Sequence, residues 1–268
     1  YFNDYLEDSR ITDAANEAKD NVRYLYTLDK FFSTLDRNNL NKISENIPSL
    51  MNAVRMIHSI SQYYNSGERM TSLFVKITNQ MINTCKRYIR NGNSRLWDIP
   101  KQELIGRMNE SKKLNEEYQA YFHKTKAKLA ESANERQWNF SANYIFGKFD
   151  AFCKRLDRIA DVLNTIDSLS GLQNIRVEGL EPIVVKYRSV VDAIKKKSYD
   201  ILDHRKPDFD NDYNEFKSQI EYIQAQLQMF IDAWFRKSYT VEQSLLFLNK
   251  FQDLEGVKIS CTIKSTKT

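Results

Sequence analysis

Residues 57–89 read IHSISQYYNSGERMTSLFVKITNQMINTCKRYI. Two apolar patterns of helical period meet here at a polar break, Asn65-Ser66-Gly67, the composition found where one helix stops and an antiparallel neighbour starts. On the first arm Ile47, Leu50, Val54, Ile57, Ser61 and Tyr64 recur at alternating spacings of three and four. On the second, Met70, Leu73, Phe74, Ile77, Met81, Cys85 and Tyr88 share one face. Each arm has a stripe to bury and a polar back, which predicts a helical hairpin.

The rest of the chain extends that pattern. Of its 268 residues 41% are apolar, enough for a continuous core, while only 7 are Gly and 4 are Pro. Sheet folds need those residues at their turns, so the expected class is all-α, an elongated series of bundles of long antiparallel helices. Upstream, a helix is expected over Ile11–Arg37, capped by Thr12 and facing inward with Ala15, Ala18, Val22, Leu25, Leu28, Phe32 and Leu35. Asn38-Asn39 ends it, and Pro48 is read into the first turn of the next helix. These helices make a first three-helix bundle over residues 1–92.

Asn91-Gly92-Asn93-Ser94 is the clearest linker-like break, and Asp98 in the following Trp97-Asp98-Ile99-Pro100 is a candidate cap. A charged helix anchored by Leu104, Met108, Leu114, Tyr118, Tyr121, Phe122 and Leu129 should run from Lys101 to about Glu135. The strongest single pattern follows, Ile145, Phe149, Phe152, Leu156, Ile159, Leu163 and Ile166, an a/d seam that demands a covering helix. The helix Asp208–Lys237, with Tyr213, Phe216, Ile220, Ile223, Leu227, Phe230 and Trp234, is one candidate. Pro182–Leu202 supplies a third helix, and Thr240–Phe251 a short one facing inward with Val241, Leu245, Leu248 and Phe251. The second bundle therefore spans residues 97–256. The strand-like end, residues 257–268, is expected to be frayed or the start of a further element.

Reactive chemistry is sparse. No GxxxxGK[ST] occurs, so the backbone nest and lysine of a P-loop are missing. The three His, at 58, 123 and 204, are scattered, and Cys85, Cys153 and Cys261 form no CxxC pair. Asp208, Asp210, Asp212 and Glu215 resemble the start of a calcium loop, but Tyr213 stands where the turn needs Gly and Gln219 where a closing acid is needed. Acids crowding the first turn of a helix explain them better. Lys195-Lys196-Lys197 and Lys154-Arg155 with Arg158 are the best basic clusters, each read as a solvated helix face. The net charge of +5 calls for no nucleic acid. No segment is apolar enough to span a bilayer. No catalytic residue, cofactor or metal ligand is expected. An opening Tyr1 suggests a fragment of a longer protein.

The run SISQYYNSGERMTSLFVKITNQMI, with EAKDNVRYLYTLDKFF at Glu17–Phe32 and NYIFGKFDAFCKRLDRI at Asn143–Ile159, resembles the N-terminal tail region of dynein heavy chains. The axonemal branch, of outer-arm type, is the most similar. The resemblance covers about Ala14–Phe251 and includes polar positions, Tyr63-Tyr64-Asn65 and Glu68-Arg69, that a generic helical stripe would not match. It implies a non-catalytic scaffold within a microtubule motor of the cilium or flagellum axoneme, a cytoplasmic and cytoskeletal location. Its implied partners are WD-repeat intermediate chains, other heavy chains, light chains and docking proteins. ATP hydrolysis and stepping would belong to parts of the heavy chain far downstream. Trp97, Trp138 and Tyr239, near expected helix ends, are the candidate partner-binding residues, since aromatics concentrate at binding hot spots. The rival expectation is a membrane-surface module that binds anionic lipid through its Lys clusters.

Overall fold

In a computed structural model the described residues are 2–35, 39–92, 95–132, 135–237, 240–251 and 254. Among them are eight α-helices and no strand, so the chain is all-α. The helices are α1 Phe2–Leu35, α2 Leu40–Ile60, α3 Gly67–Arg90, α4 Lys101–Glu131, α5 Ala142–Ser168, α6 Glu181–Lys195, α7 Asp208–Phe235 and α8 Val241–Asn249. The expectation for residues 257–268 lies outside the described residues. Contacts divide the chain into two compact units, Tyr1–Lys154 and Arg155–Thr268.

In the first unit, α2 and α3 bury the stripes that the sequence marks. Ile47, Leu50, Val54, Ile57, Ser61 and Tyr64 are buried, as are Met70, Leu73, Phe74, Ile77, Met81 and Cys85. The turn between them is built from the polar break: Ser61 Oγ accepts from Tyr64 N at 3.0 Å, and Ser66 caps α3 by accepting from Arg69 N. Asn39 caps α2 through Lys42 N, which places Pro48 inside that helix rather than in its first turn. There Pro48 withholds one donor from the helix ladder. α1 starts at Phe2, so Thr12 lies within the helix and caps nothing. Its face is also not as expected: Leu28 and Phe31 are buried, whereas Ile11, Val22 and Leu25 are exposed.

α4 packs on α2 and α3, although the sequence pattern places it at the start of a second bundle. Ser44 donates to Glu117, and Tyr88 to Glu110. Arg107 Nη1 donates to Ile89 O at 3.1 Å, tying α4 to α3 across the turn in which Asn91 and Gly92 take left-handed backbone angles. Asp98 belongs to a 3-10 turn before α4 and does not cap it. Small or short polar side chains, Ser111 and Asn115, are buried along the α4 face. Asn115 Nδ2 and Gln119 Nε2 both donate to Asp150 of α5, at 2.8 and 2.7 Å. With Tyr118 against Phe146 at 5.0 Å between ring centroids, α4 covers the start of the α5 seam.

In the second unit, α6 packs along α7, and α5 is tied to α7 by Tyr213 donating to Asp161 at 2.8 Å and by Lys217 paired with the same carboxylate. Two seams therefore share one neighbour only in part. Along α5, Ile145 to Ile159 are buried, but Val162 and Leu169 replace Leu163 and Ile166 as the fully buried residues. Along α7, Ile231 replaces Phe230 in the same way. A straight helix drifts about 20° per heptad against a 3.5-residue repeat, which favours the following residue and accounts for Ile231 in α7, whereas the move from Leu163 to Val162 in α5 runs the other way. α6 ends at Lys195, before Ile201 and Leu202, which are buried in the following loop.

Candidate docking surfaces

Nothing in the described residues gathers reactive groups. No set of three His, Cys, Asp or Glu side chains could hold a metal ion. Burial pushes the Cys85 thiol up to about 12, so it is protonated and unreactive at neutral pH. Among the described residues no helix is long and apolar enough to cross a membrane.

The acids at the start of α7 are engaged by cations. Asp210 accepts from Arg155 Nη2 at 3.0 Å and pairs with Arg158, and Asp212 accepts from Lys197 Nζ at 2.8 Å and from Tyr199. Burial alone would raise the Asp210 carboxyl, but the two guanidinium bonds and charges outweigh it and hold it below its ordinary value. Asp212 is lowered in the same way, burial being overcome by Lys197 and Tyr199. Arg155 was expected on a solvated face. It is buried instead, and its guanidinium donates to Ile201 O at 2.9 Å, Asp203 O at 3.2 Å and Lys206 O at 2.9 Å. Those three carbonyls lie in the loop between α6 and α7. Lys196 pairs with Asp192 as Lys197 does with Asp212. Part of each basic cluster is thus paired from within the chain, and nothing among the described residues adds support to the anionic-lipid expectation.

Of the three aromatic candidates, Trp138 is corrected. Expected at the surface, it is 1% exposed and stacks among Phe74, Phe122 and Phe140 with centroids 5.2 to 5.5 Å away. Arg136, two residues before it, donates to His58 O at 2.9 Å and Ser61 O at 3.1 Å. It thereby satisfies carbonyls at the end of α2 and lays the loop across the hairpin with the indole pointing in. Trp97 is half-buried, its indole nitrogen without a hydrogen-bond partner. Tyr239 lies outside the described residues.

The exposed apolar side chains are elsewhere. In the first unit they are Ile11, Val22, Leu25 and Tyr26 on α1, Met56 and Ile60 near the end of α2, Tyr63 beyond, and Tyr144 on α5. A groove of about 320 Å³ lies at the hairpin turn, lined by Tyr63, Tyr64, Glu68, Arg69, Ser72, Leu73 and Lys76. In the second unit Val185, Tyr222 and Met229 are exposed, and Tyr222 lines a groove of about 540 Å³ between α6 and α7. On α8 the expected face holds only toward its end, where Phe251 is buried and Leu248 half-buried. Val241 and Leu245 are exposed, because Phe247 stacks flat on Trp234 at 3.9 Å and turns the helix inward on that side. The Tyr63-Arg69 signal was present in the sequence as the polar part of the conspicuous run, but periodicity ranks only apolar positions.

Comparison with known proteins agrees with this architecture of packed helices without a reaction centre. The family described as dynein heavy chain, N-terminal region 1, matches residues 2–267. The chain is 44% identical over 262 residues to dynein axonemal heavy chain 8 of Homo sapiens, covering 96% of this chain and 6% of that protein. It is 48% identical over 248 residues to dynein axonemal heavy chain 5 of Rattus norvegicus, covering 92% of this chain and 7% of that one. Against the dynein gamma chain of the flagellar outer arm of Chlamydomonas reinhardtii it is 39% identical over 246 residues, 91% of this chain and 6% of that one. It thus spans 6% to 7% of the length of these curated relatives. With the family match running from residue 2 to residue 267, the chain belongs to the dynein heavy chain N-terminal region 1 family.

Proposed function

We propose that this segment is a non-catalytic scaffold in the tail of an axonemal, outer-arm dynein heavy chain. On this reading it works in the axoneme of a cilium or flagellum. It carries intermediate chains or a neighbouring heavy chain, with light chains and docking proteins nearby, and links motor heads to the doublet microtubule. ATP hydrolysis and stepping belong to other parts of the heavy chain. The reading is supported by the relatives, whose names specify axonemal and flagellar outer-arm dyneins. The observation that carries it is the pairing of closed cores with apolar side chains left in solvent in each unit, such as Val22 and Tyr26 in the first and Tyr222 and Met229 in the second. Helices with one buried face and anchors on the other suit docking of further subunits.

The test is capture by the purified, folded segment from salt-extracted axonemes, with bound proteins identified by mass spectrometry. Recovery of WD-repeat intermediate chains or a second heavy chain is expected. Recovery of neither overturns the docking role.

A further inference from the structure

The groove at the hairpin turn carries two cations, Arg69 and Lys76. Arg69 is held in place twice: its guanidinium carbon sits 4.1 Å from the Tyr63 ring centroid, and Nη1 donates to Tyr63 O at 3.0 Å. Stacking and one main-chain bond fix the planar fork and leave most of its N–H donors free. Lys76, two turns further along α3, is exposed. Neither cation has a carboxylate partner among the described residues, in contrast to Arg107, Arg155 and Lys197, which are ion-paired. Ser72 lies between them on the same helix face and Leu73 forms the apolar floor. Glu68, which also lines the groove, stands at the helix start where its charge suits the dipole, so the lining carries two cations against one acid. Ile60 and Met56, three and seven residues before Tyr63, are exposed at 55% and 59%.

The geometry points to this groove as the docking site for an acidic amphipathic segment of a partner protein, its carboxylates on Arg69 and Lys76 and its apolar side chains towards Tyr63 and Ile60. A pre-oriented arginine over a tyrosine favours a planar carboxylate, because it loses little side-chain freedom when the bidentate pair forms. The concave site also selects a narrow segment over a flat surface. The inference rests on the scaffold reading for its biological setting, but the site can be tested without any axonemal protein.

Two fluorescent amphipathic peptides with identical leucines, one with Glu and the other with Gln at every polar position, are titrated against the purified chain by anisotropy. The Glu peptide is expected to bind roughly tenfold more tightly than the Gln peptide. Carbodiimide coupling should join it to Lys76. Replacing both cations, Arg69→Gln with Lys76→Gln, should weaken it roughly tenfold or more, while Lys128→Gln, which removes an exposed charge elsewhere in the same unit, should not. Equal binding of the two peptides, equal loss in the Lys128 variant, or cross-links confined to other lysines overturns the site. Phosphatidylserine vesicles whose binding falls in the double variant would overturn it in favour of a lipid surface. If the peptide fails while extracts still yield an intermediate chain, the groove is refuted and the scaffold stands. If the peptide binds as expected and extracts yield nothing, the groove stands and the docking role falls.

Discussion

Arg155 holds Asp210 at 3.0 Å with only 2% of its own side chain exposed. The arginine comes from the middle of α5 and the aspartate from the first turn of α7, and the same guanidinium collects three carbonyls of the loop that precedes α7. One side chain therefore fixes a helix start, a loop path and a helix pair in the second unit. A buried charge is tolerable there because each of the two Nη nitrogens finds two acceptors.

Removing that side chain should be costly. Arg155→Ala leaves two buried carbonyls and a part-buried third short of a donor and Asp210 with Arg158 alone, and breaking a buried pair in this way costs about 3–5 kcal/mol. Arg155→Lys should recover only part of the loss, because one ammonium cannot reproduce a planar fork with four partners. Urea unfolding of the two variants against the parent checks both statements. A lysine variant as stable as the parent would refute the account.

The carboxylates of the same cluster set an acid limit. Asp210 and Asp212 both titrate below their ordinary value of 3.8 in the folded chain. A depressed folded value means that the unfolded chain takes up the proton first, so the stability from these pairs is complete above about pH 4 and is lost as pH falls through the folded values. Asp210→Asn should lower stability at pH 7 and flatten its fall below pH 4, so that the two curves converge in strong acid. Urea midpoints measured across that range show whether they do.

His58 makes the first unit sensitive at a higher pH. It is 3% exposed, and burial first, then the charge of Arg136, lowers its imidazole below the ordinary value of 6.5, against an opposing backbone hydrogen bond at Asn65. The folded chain keeps the ring neutral while the unfolded chain protonates it. Stability should therefore fall as pH drops below 6.5 toward the lowered folded value, and be level above 6.5 as far as this group is concerned. His58→Gln should abolish that slope and leave the limb below pH 4 intact. Stability measured between pH 8 and pH 5 in both proteins separates the two groups.

The hairpin was readable because its evidence is local: Met70, Leu73, Phe74, Ile77 and Met81 declare their face within three turns, and packing obeys them. Arg155 was not. In sequence it stands in Lys154-Arg155-Leu156-Asp157-Arg158, which reads as a polar helix back, and what buries it is a set of carbonyls more than forty residues away. α1 shows the converse. Val22 and Leu25 belong to an inward-looking pattern, yet no neighbour among the described residues buries them, since a stripe states only that a surface is apolar. The docking groove combines both difficulties, because Tyr63 and Arg69 meet across a turn and carry no period at all.

Trp138 offers the sharpest test of the first unit's core. Its ring packs against Phe74, Phe122 and Phe140, so Trp138→Ala should cost about 3–5 kcal/mol, the usual loss for deleting a large buried aromatic. The indole nitrogen has no hydrogen-bond partner. Trp138→Phe therefore forfeits packing but no hydrogen bond, and should cost clearly less. Fluorescence gives an independent reading, because the chain has 3 tryptophans and the other two, Trp97 and Trp234, are half-buried. Loss of the buried indole in Trp138→Phe should shift the remaining emission to longer wavelength and make it more open to acrylamide quenching. An unchanged spectrum, or equal losses of stability for the alanine and phenylalanine variants, would mean that the loop carrying Trp138 does not seat it in the core.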